Sequence, residues 1–435
     1  MNKEYDAIII GAGVIGCAIA FEMSKEGQKT LNIDKNPVAG YGSTSNSCAI
    51  VRAHYSTYEG VAMAYENFYY WQNWKKYLDA EDESGYAEFR NTGTILLKTR
   101  GHDFEKVLRL YRKVGVEFEE WDREELERRM PLYDQHCFYP PRRPSDPKFW
   151  IKPEEKIDGA IYTPGSGYVN DPQLATHNLM RAAEAKGGDF LFNRAVTEIP
   201  RTNGRVQGVV LADGTRIDAP VVVNVSGPHS FVINRMAGVE EGMNIKTRAL
   251  RHEVHHVHSP EGFDFQKDGC HTSDGDTAIY FRPETGNSIL VGSEDPECDE
   301  KIWVEDPDDF DRNVSPDQWE AQVYRLAKRI PSLRIPNRPR GLVDLYDVSD
   351  DWIPLYDKSD LKGFYMAVGT SGNQFKNASV VGVLMRDLIA ACEGGRDHDT
   401  DPVQVKLEHT GLTLNAGFYS RLREINPDSS FSVNG

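Results

Sequence analysis

Residues 5–34 read YDAIIIGAGVIGCAIAFEMSKEGQKTLNID. The apolar, β-branched run that opens this stretch predicts a buried strand, and the glycine-rich turn Gly11–Gly16 follows it directly. An amphipathic pattern over 17–25 predicts a helix, and 30–34 predicts a second strand that ends on a carboxylate, Asp34. Strand, glycine turn, helix, strand and acid together indicate a dinucleotide-binding unit. This combination is far more specific than the bare G-x-G-x-x-G pattern.

Each glycine of this turn has a physical role in such a unit. Gly11 permits the tight turn out of the strand, Gly13 lets a pyrophosphate approach the backbone, and Gly16 allows close packing of helix and strand. The pyrophosphate would meet the N-terminus of the helix, where free N–H groups and the helix dipole favour an anion. Asp34 would accept hydrogen bonds from ribose hydroxyls. The alternative is a glycine turn in an ordinary βαβ unit.

Length and composition limit the class of protein. A chain of 435 residues is too long for one compact core, so we expect two domains. Its net charge of −17 argues against nucleic-acid binding, which needs a basic face. The six cysteines are dispersed without a C-x-x-C pair, which favours reduced thiols over disulfides or a metal site.

Location in the cell is inferred from the same composition. No apolar run approaches the roughly 18 residues that a membrane-spanning helix requires. Residues 1–4 lack the basic start, apolar middle and small-residue cleavage site of a signal peptide. We therefore expect a cytoplasmic protein.

Four further segments contribute to the architecture. A glycine- and hydroxyl-rich loop at 37–47 is suited to wrapping a cofactor, although a plain surface loop is the alternative. Turn-separated β patterns between Ile245 and Gly292 predict an antiparallel sheet. The proline-rich segment 139–153 predicts an exposed insertion without regular structure. The polar tail after Gly395 is expected to pack loosely.

Several separated motifs agree with one another in their order along the chain. They are residues 11–34, Gly42–Ser45 with Ile50–Arg52, Gly165–Val169, Val222–Pro228, Tyr280–Glu284, Asp351–Pro354 and Gly369–Lys376. In this the chain resembles the FAD-dependent amine and amino-acid oxidoreductase family typified by sarcosine oxidase, dimethylglycine dehydrogenase and D-amino-acid oxidase. The resemblance spans residue 5 to about residue 390.

The resemblance implies an α/β fold of two domains. A Rossmann-like FAD-binding domain would be discontinuous, with a substrate domain on a mixed, mainly antiparallel sheet inserted in pieces. We assign 1–90, 159–235 and 335–395 to the FAD-binding domain. The substrate domain takes 91–158 and 236–334, and 396–435 form a C-terminal tail.

The cofactor implied is FAD, held without a covalent bond. Relatives that attach FAD do so through a Cys in the segment corresponding to Val343–Asp347 or a His after the Ser/Thr loop, and 45–47 and 343–347 contain neither. His54 lies beyond Arg52. The residues predicted to bind FAD are Gly11, Gly13, Val14, Ile15, Gly16, Asp34, Lys35, Ser43, Thr44, Ser45, Val196, Ser226, Gly227, Gly372, Asn373, Gln374, Phe375 and Lys376.

The resemblance also implies that two basic residues, Arg52 and Lys376, hold a substrate carboxylate. A guanidinium can bind a carboxylate bidentately and an ammonium adds a point charge. Lys376 would also stabilise a reduced, anionic flavin, and a structural salt bridge is the alternative for Arg52. His252 is predicted to be a further polar group of the active site, with Tyr280 and Arg282 as additional candidates.

A cluster of histidines at 252–258 could hold a metal, because His252, His256 and His258 would share one face of a strand. No nearby carboxylate pattern supports this, so we predict no metal.

The predicted activity is oxidation of the C–N bond of an amino acid or N-methylated amine by hydride transfer to FAD. The resulting imine would hydrolyse. Sarcosine-oxidase-like oxidases carry a Lys over the flavin, and a rough alignment places Leu290 at that position here. This favours a dehydrogenase that passes electrons to a quinone or carrier protein over one that uses oxygen. Alternatives are an FAD-dependent 2-hydroxy-acid dehydrogenase and an FAD-holding subunit of a larger complex.

Overall fold

The computed structural model describes residues 4–100 and 103–435. The first three residues of the predicted FAD segment, and 101–102 of the predicted substrate segment, lie outside this description. The helices are α1 (Val14–Lys25), α2 (Tyr58–Gln72), α3 (Trp74–Leu78), α4 (Phe104–Val114), α5 (Arg123–Arg129), α6 (Pro172–Ala185), α7 (Ser230–Ala237), α8 (Phe265–Asp268), α9 (Pro316–Arg329) and α10 (Ala378–Glu393).

The strands up to the middle of the chain are β1 (Ala7–Ile10), β2 (Thr30–Ile33), β3 (Ile50–Val51), β4 (Phe89–Arg90), β5 (Thr94–Leu97), β6 (Glu119–Trp121), β7 (Ala160–Thr163), β8 (Gly167–Val169), β9 (Asp189–Leu191), β10 (Val196–Glu198), β11 (Arg201–Thr202), β12 (Arg205–Val206), β13 (Gly208–Leu211), β14 (Arg216–Asp218) and β15 (Val221–Asn224). The later strands are β16 (Thr247–His258), β17 (His271–Asp274), β18 (Ile279–Glu284), β19 (Ser288–Ser293), β20 (Ile302–Val304), β21 (Gly341–Ser349), β22 (Leu355–Lys358), β23 (Phe364–Val368), β24 (Gln404–Lys406) and β25 (Thr413–Asn415).

A six-stranded sheet contains the glycine-turn unit. Its order is β22-β23-β15-β1-β2-β9, and all its neighbours are parallel except the edge strand β22. Helices α1, α6 and α10 cover one face, and the three-stranded sheet β10-β13-β14 with α7 covers the other. Burial on both faces explains why β1, β15 and β23 are continuous apolar runs rather than alternating ones.

A nine-stranded sheet is the second large sheet of the structure. Its long strand β16 pairs antiparallel with β19, β20 and β21, and the parallel pairing of β17 with β5 makes the sheet mixed. Helix α9, with α5 and α8, buries an apolar cluster against one face. The predicted fold class is therefore confirmed.

The division into domains remains a proposal. The strands at 160–163 and 341–349 pair within the nine-stranded sheet, although we assigned both ranges to the FAD-binding domain. Every helix within 4–100 and 103–435 is too short or too polar to cross a lipid bilayer.

The expectation of a loosely packed tail was wrong, and the proline-rich segment, although largely exposed as expected, does contain regular structure. The tail after Gly395 packs tightly, because it contributes β24 and β25 and because Arg421 is buried in ion pairs with Asp357 and Asp399. The proline-rich segment 139–153 contains a 3-10 turn, Pro147–Trp150, that buries Phe149. Here the apolar side chain finds a core contact that local composition does not reveal.

Candidate functional site

A cavity of about 1020 Å³ lies where the two large sheets meet. Its walls begin at the carboxyl ends of β1, β2 and β15, the usual ligand position in an open parallel sheet. Residues of β16, β18 and β21 close the opposite side. Such a volume is sufficient for a dinucleotide together with a small substrate.

The structure brings nearly all the predicted site residues together at this cavity, and Arg282 is the exception. Each residue predicted to bind FAD lines it, and so do Arg52 and His252. These residues come from eight separate stretches between 11 and 376. Their roles toward a ligand are proposals that the placement supports.

The glycine turn leaves space that a side chain would fill. Gly11 has φ +121°, and a Cβ there would lie 2.4 Å from the carbonyl oxygen of Val225. A Cβ on Gly16 would lie 2.4 Å from the carbonyl oxygen of Gly11. Glycine at both positions therefore holds β1, β15 and the start of α1 in close contact, as the fingerprint requires.

The Asp34 carboxylate stabilises the glycine turn through a hydrogen bond to its backbone. One carboxylate oxygen accepts a hydrogen bond from the backbone N–H of Ala12 at 2.8 Å, and the other accepts from Asn36 N–H at 2.8 Å. Each oxygen retains a lone pair, so the carboxylate can still accept from a ribose hydroxyl. Thr44 Oγ1 lies 3.3 Å from the backbone nitrogen of Val14 at the N-terminus of α1.

The Ser/Thr loop is attached to the large sheet by side-chain contacts. Ser43 Oγ donates to the carbonyl of Leu345 at 2.9 Å and lies 3.2 Å from Asp344 Oδ1. Asn46 Nδ2 also donates to Asp344. These bonds close one wall of the cavity between the loop and β21.

Arg52 follows the short strand β3, which pairs with β8. Arg52 is 5% exposed, and within the part of the chain that the structure describes its side chain donates to the backbone carbonyls of His54, Val433 (2.8 Å) and Asn434 (3.3 Å). Burial lowers the pKa of the guanidinium. These hydrogen-bond partners are neutral, while the charge of the buried Glu294 carboxyl acts on Arg52 from farther away.

Lys376 lies in a 3-10 turn between β23 and α10. Trp71 Nε1 donates to its backbone carbonyl at 2.8 Å, and the Trp71 ring stacks on Phe375 with centroids 5.4 Å apart. The ammonium, 2% exposed, donates to the carbonyl of Asn373 at 2.6 Å. Burial, and then the charge of Arg52, hold its pKa well below the usual lysine value.

Two histidines lie near these basic side chains. His54 and His271 stack with centroids 6.3 Å apart, and both are buried. Burial, followed by repulsion from Arg52, holds the pKa of each imidazole well below its usual value. Both rings are therefore neutral at physiological pH, whereas Arg52 keeps its positive charge because a guanidinium stays protonated.

The other predicted polar residues divide into two groups. His252 lines the cavity, stacks on Tyr346 and places Nε2 3.2 Å from Asp295 Oδ1. Tyr280 also lines it, with its hydroxyl 3.3 Å from that of Tyr346. Arg282 does not line the cavity, because its guanidinium donates to the carbonyl of Cys48 at 2.7 Å and anchors that loop instead.

Several wall residues were missed from the sequence. Val433 and Asn434 reach the cavity from the tail, and the polar composition of the tail gave no signal for this. Asp347 also lines it and accepts from the backbone N–H of Gly369 at 2.6 Å and from Ser230 Oγ at 2.9 Å. Burial raises the pKa of the Asp347 carboxyl to about 7. The signal available in the sequence was the position of Asp347 in 343–347, the segment that corresponds to the one where some relatives attach FAD.

The cavity walls fit the groups that FAD carries. The N-terminus of α1 has no side-chain cap from Gly13, and a helix N-terminus is a favourable site for a pyrophosphate. Asn373 Nδ2 is a buried donor without a partner in the wall. Buried donors are nearly always satisfied, so this one is positioned to bond a ligand.

A family model described as FAD dependent oxidoreductase (DAO) matches residues 6–388. The chain belongs to this family. The predicted family and the predicted FAD cofactor are therefore confirmed.

Among curated relatives, glycine oxidase from Geobacillus kaustophilus is 24% identical, covering 91% of this chain and 96% of its own. Monomeric sarcosine oxidase from Bacillus sp. is 23% identical, covering 92% and 95%. Human mitochondrial sarcosine dehydrogenase is 23% identical over 84% of this chain and 37% of its own length.

Solved structures show the same fold. L-proline dehydrogenase from P. horikoshii superposes with a TM-score of 0.75 at 20% identity, covering 97% of this chain and 98% of its own. Glycine oxidase from Geobacillus kaustophilus superposes with a TM-score of 0.71 at 20% identity, covering 98% and 100%. These relatives include enzymes named as oxidases and as dehydrogenases.

Proposed function

We propose that this FAD-dependent oxidoreductase oxidises the C–N bond of an amino acid or N-methylated amine that carries a carboxylate. The relatives named glycine oxidase, sarcosine oxidase and sarcosine dehydrogenase support this substrate class. FAD, when bound, supplies the two-electron acceptor for the bond that is oxidised. The protein supplies binding, orientation and the electrostatic field.

The observation that carries the proposal is the pair of buried basic side chains. Arg52 and Lys376 are both nearly inaccessible, and in the described residues both side chains donate to backbone carbonyls rather than to carboxylates. A buried charge is normally paired, because its desolvation costs several kcal/mol. A substrate carboxylate would supply the missing partner.

The same pair of basic residues would favour the reactive form of the substrate. A bound amino acid would place its amine near the charged Arg52 guanidinium, the buried Lys376 side chain and two neutral imidazoles. This field disfavours the ammonium form and lowers the pKa of the substrate amine. The neutral amine, which is the form that can be oxidised, would then bind without a strong base in the site.

FAD is proposed to be bound without a covalent link. Asp344 and Asp347 occupy the segment where some relatives carry the attaching cysteine, and both side chains lack a nucleophilic sulfur. Cys48 does line the cavity, but burial raises the pKa of its thiol. A protonated thiol is a poor nucleophile.

A dehydrogenase is proposed rather than an oxidase. Leu290 lies on β19 opposite His256, where the resemblance places the lysine of oxidases. An oxygen electrode tests this directly: we expect slow oxygen uptake and fast reduction of an artificial quinone with the same substrate. Rapid oxygen uptake would instead identify an oxidase.

Anaerobic flavin reduction across a substrate panel tests the function itself. The panel contains glycine, sarcosine, proline, D-amino acids, 2-hydroxy acids and the matching amines without a carboxylate. We expect flavin bleaching by one or more carboxylated amines and none by the decarboxylated amines. Bleaching by 2-hydroxy acids alone would assign the alternative activity, and bleaching only after a partner is added would assign a subunit role.

A further inference from the structure

Residues 429–435 form a segment, here called the strap, that contributes to one wall of the cavity. At its base Ser429 Oγ donates to the carbonyl of Asp351 at 2.5 Å. Beyond it Ser430 and Phe431 are exposed. Val433 and Asn434 then enter the cavity wall.

The tip of the strap occupies the groups that a carboxylate would use. Arg52 Nη2 donates to the carbonyl of Val433 at 2.8 Å, and Nη1 donates to that of Asn434 at 3.3 Å. These two nitrogens form the edge that binds a carboxylate bidentately. Ser56 holds the end of the strap, because its N–H (3.0 Å) and its Oγ (2.6 Å) both donate to the carbonyl of Gly435.

The side chain of Asn434 also hydrogen-bonds Glu294 and His54, and the apolar contacts of the strap are few. The Val433 side chain, 6% exposed, packs in a small apolar cluster that includes Cys48 and Tyr280. The hydroxyls of Ser430 and Ser432 bond only to each other and to nearby strap atoms. Segments with few buried apolar contacts open at low free-energy cost.

The bonds to Arg52 can be exchanged for stronger ones. The strap offers neutral carbonyls, whereas a carboxylate forms charge-assisted hydrogen bonds that are roughly twice as strong. An amine without a carboxylate offers no competing acceptor to the guanidinium. Neutral ligands therefore displace the strap from Arg52 less readily than carboxylates do.

We propose that residues 429–435 are a displaceable gate whose carbonyls screen Arg52, and that a substrate opens it with its carboxylate. The proposal rests on the carboxylated substrate proposed above and adds that the free site is closed. Selection for carboxylated amines follows from the need to displace the strap.

Propionate and its neutral isostere propionamide test the gate, with the absorbance of bound FAD reporting binding. The wild-type chain is compared with a chain that ends at Asp428, with Ser56→Ala, which removes one bond to Gly435, and with Ser430→Ala as the matched control. If the closed state is about tenfold favoured, propionate binds the shortened chain about tenfold more tightly. Ser56→Ala gives a smaller gain, and Ser430→Ala gives none.

Hydrogen exchange supplies a readout that is independent of activity. Propionate should speed exchange of the Ser56 amide in the wild-type chain, since its acceptor Gly435 leaves, and propionamide should not. If the shortened chain fails to bind FAD, the Ser56→Ala variant and this exchange measurement test the gate in its place. Equal propionate affinity in all four proteins, or protection of Ser56, overturns the gate but leaves the proposed function intact. Absence of propionate binding together with no flavin reduction by any amino acid overturns both.

Discussion

Replacing Arg52 by Ala tests the carboxylate site most sharply. Each of two hydrogen bonds between a guanidinium and a carboxylate contributes about 1.5–3 kcal/mol. Displacing the strap, whose carbonyls occupy the same nitrogens, offsets part of this gain. We therefore expect a net loss of about 3 kcal/mol, which corresponds to about 150-fold weaker binding of a carboxylated substrate.

Stopped-flow flavin reduction without oxygen separates binding from chemistry. The apparent Kd should rise by this factor in Arg52→Ala, while FAD content stays normal and reduction at saturation changes less. Arg312→Ala is the control, because it removes the same charge from an exposed residue that lines the cavity. Repeating the substitution in the chain that ends at Asp428 removes competition by the strap. An apparent Kd within about twofold of wild type in FAD-loaded Arg52→Ala would refute the assignment.

Three further predictions concern the cofactor and the buried acids. Gly13→Ala should weaken FAD binding at least about tenfold without unfolding the chain, since Gly13 has an ordinary φ of −73° and its Cβ would approach only Thr44 Oγ1, at 3.2 Å. Gly394→Ala, away from the cavity, is the control. Normal FAD loading by Gly13→Ala would contradict the assignment of the glycine turn to FAD binding. Acid precipitation should release all flavin to the supernatant, and yellow protein in the pellet would show a covalent link. Burial raises the pKa of Glu294 from 4.5 to about 7, so the stability that comes from its protonated form is complete below 4.5 and is lost as pH rises through 7. Glu294→Gln should therefore gain about 3 kcal/mol relative to wild type between about pH 4.5 and about pH 8 in denaturant titrations, and a pH-independent difference would contradict the shift.

The cofactor half of the site could be predicted from the sequence because its signals are local. The glycine turn Gly11–Gly16 constrains backbone geometry within a few residues, and the ends of parallel strands necessarily meet at one edge of a sheet. The loop 41–47 and the turn 369–376 were recognised by the resemblance. All of them line one cavity in the structure.

Non-local packing explains the parts that the sequence did not reveal. Strand β17 reads His-Thr-Ser-Asp and is buried throughout, so it shows neither alternation nor an apolar run. It is stabilised by a buried ion pair of Asp274 with Arg329, at 2.8 Å, from a helix 55 residues later. The strap at 429–435 is similar, because its only apolar anchor, Val433, stands between polar residues. Such contacts have no periodicity that a sequence pattern could display.

Single-turnover reduction of the FAD-loaded enzyme, with product analysis, tests the central claim most directly. The best carboxylated amine of the panel is mixed in one equivalent with enzyme in the absence of oxygen. We predict complete flavin bleaching with release of one equivalent each of carbonyl product and amine. If no amino acid or N-methylated amine bleaches the flavin of a fully loaded enzyme, the account of this site is wrong.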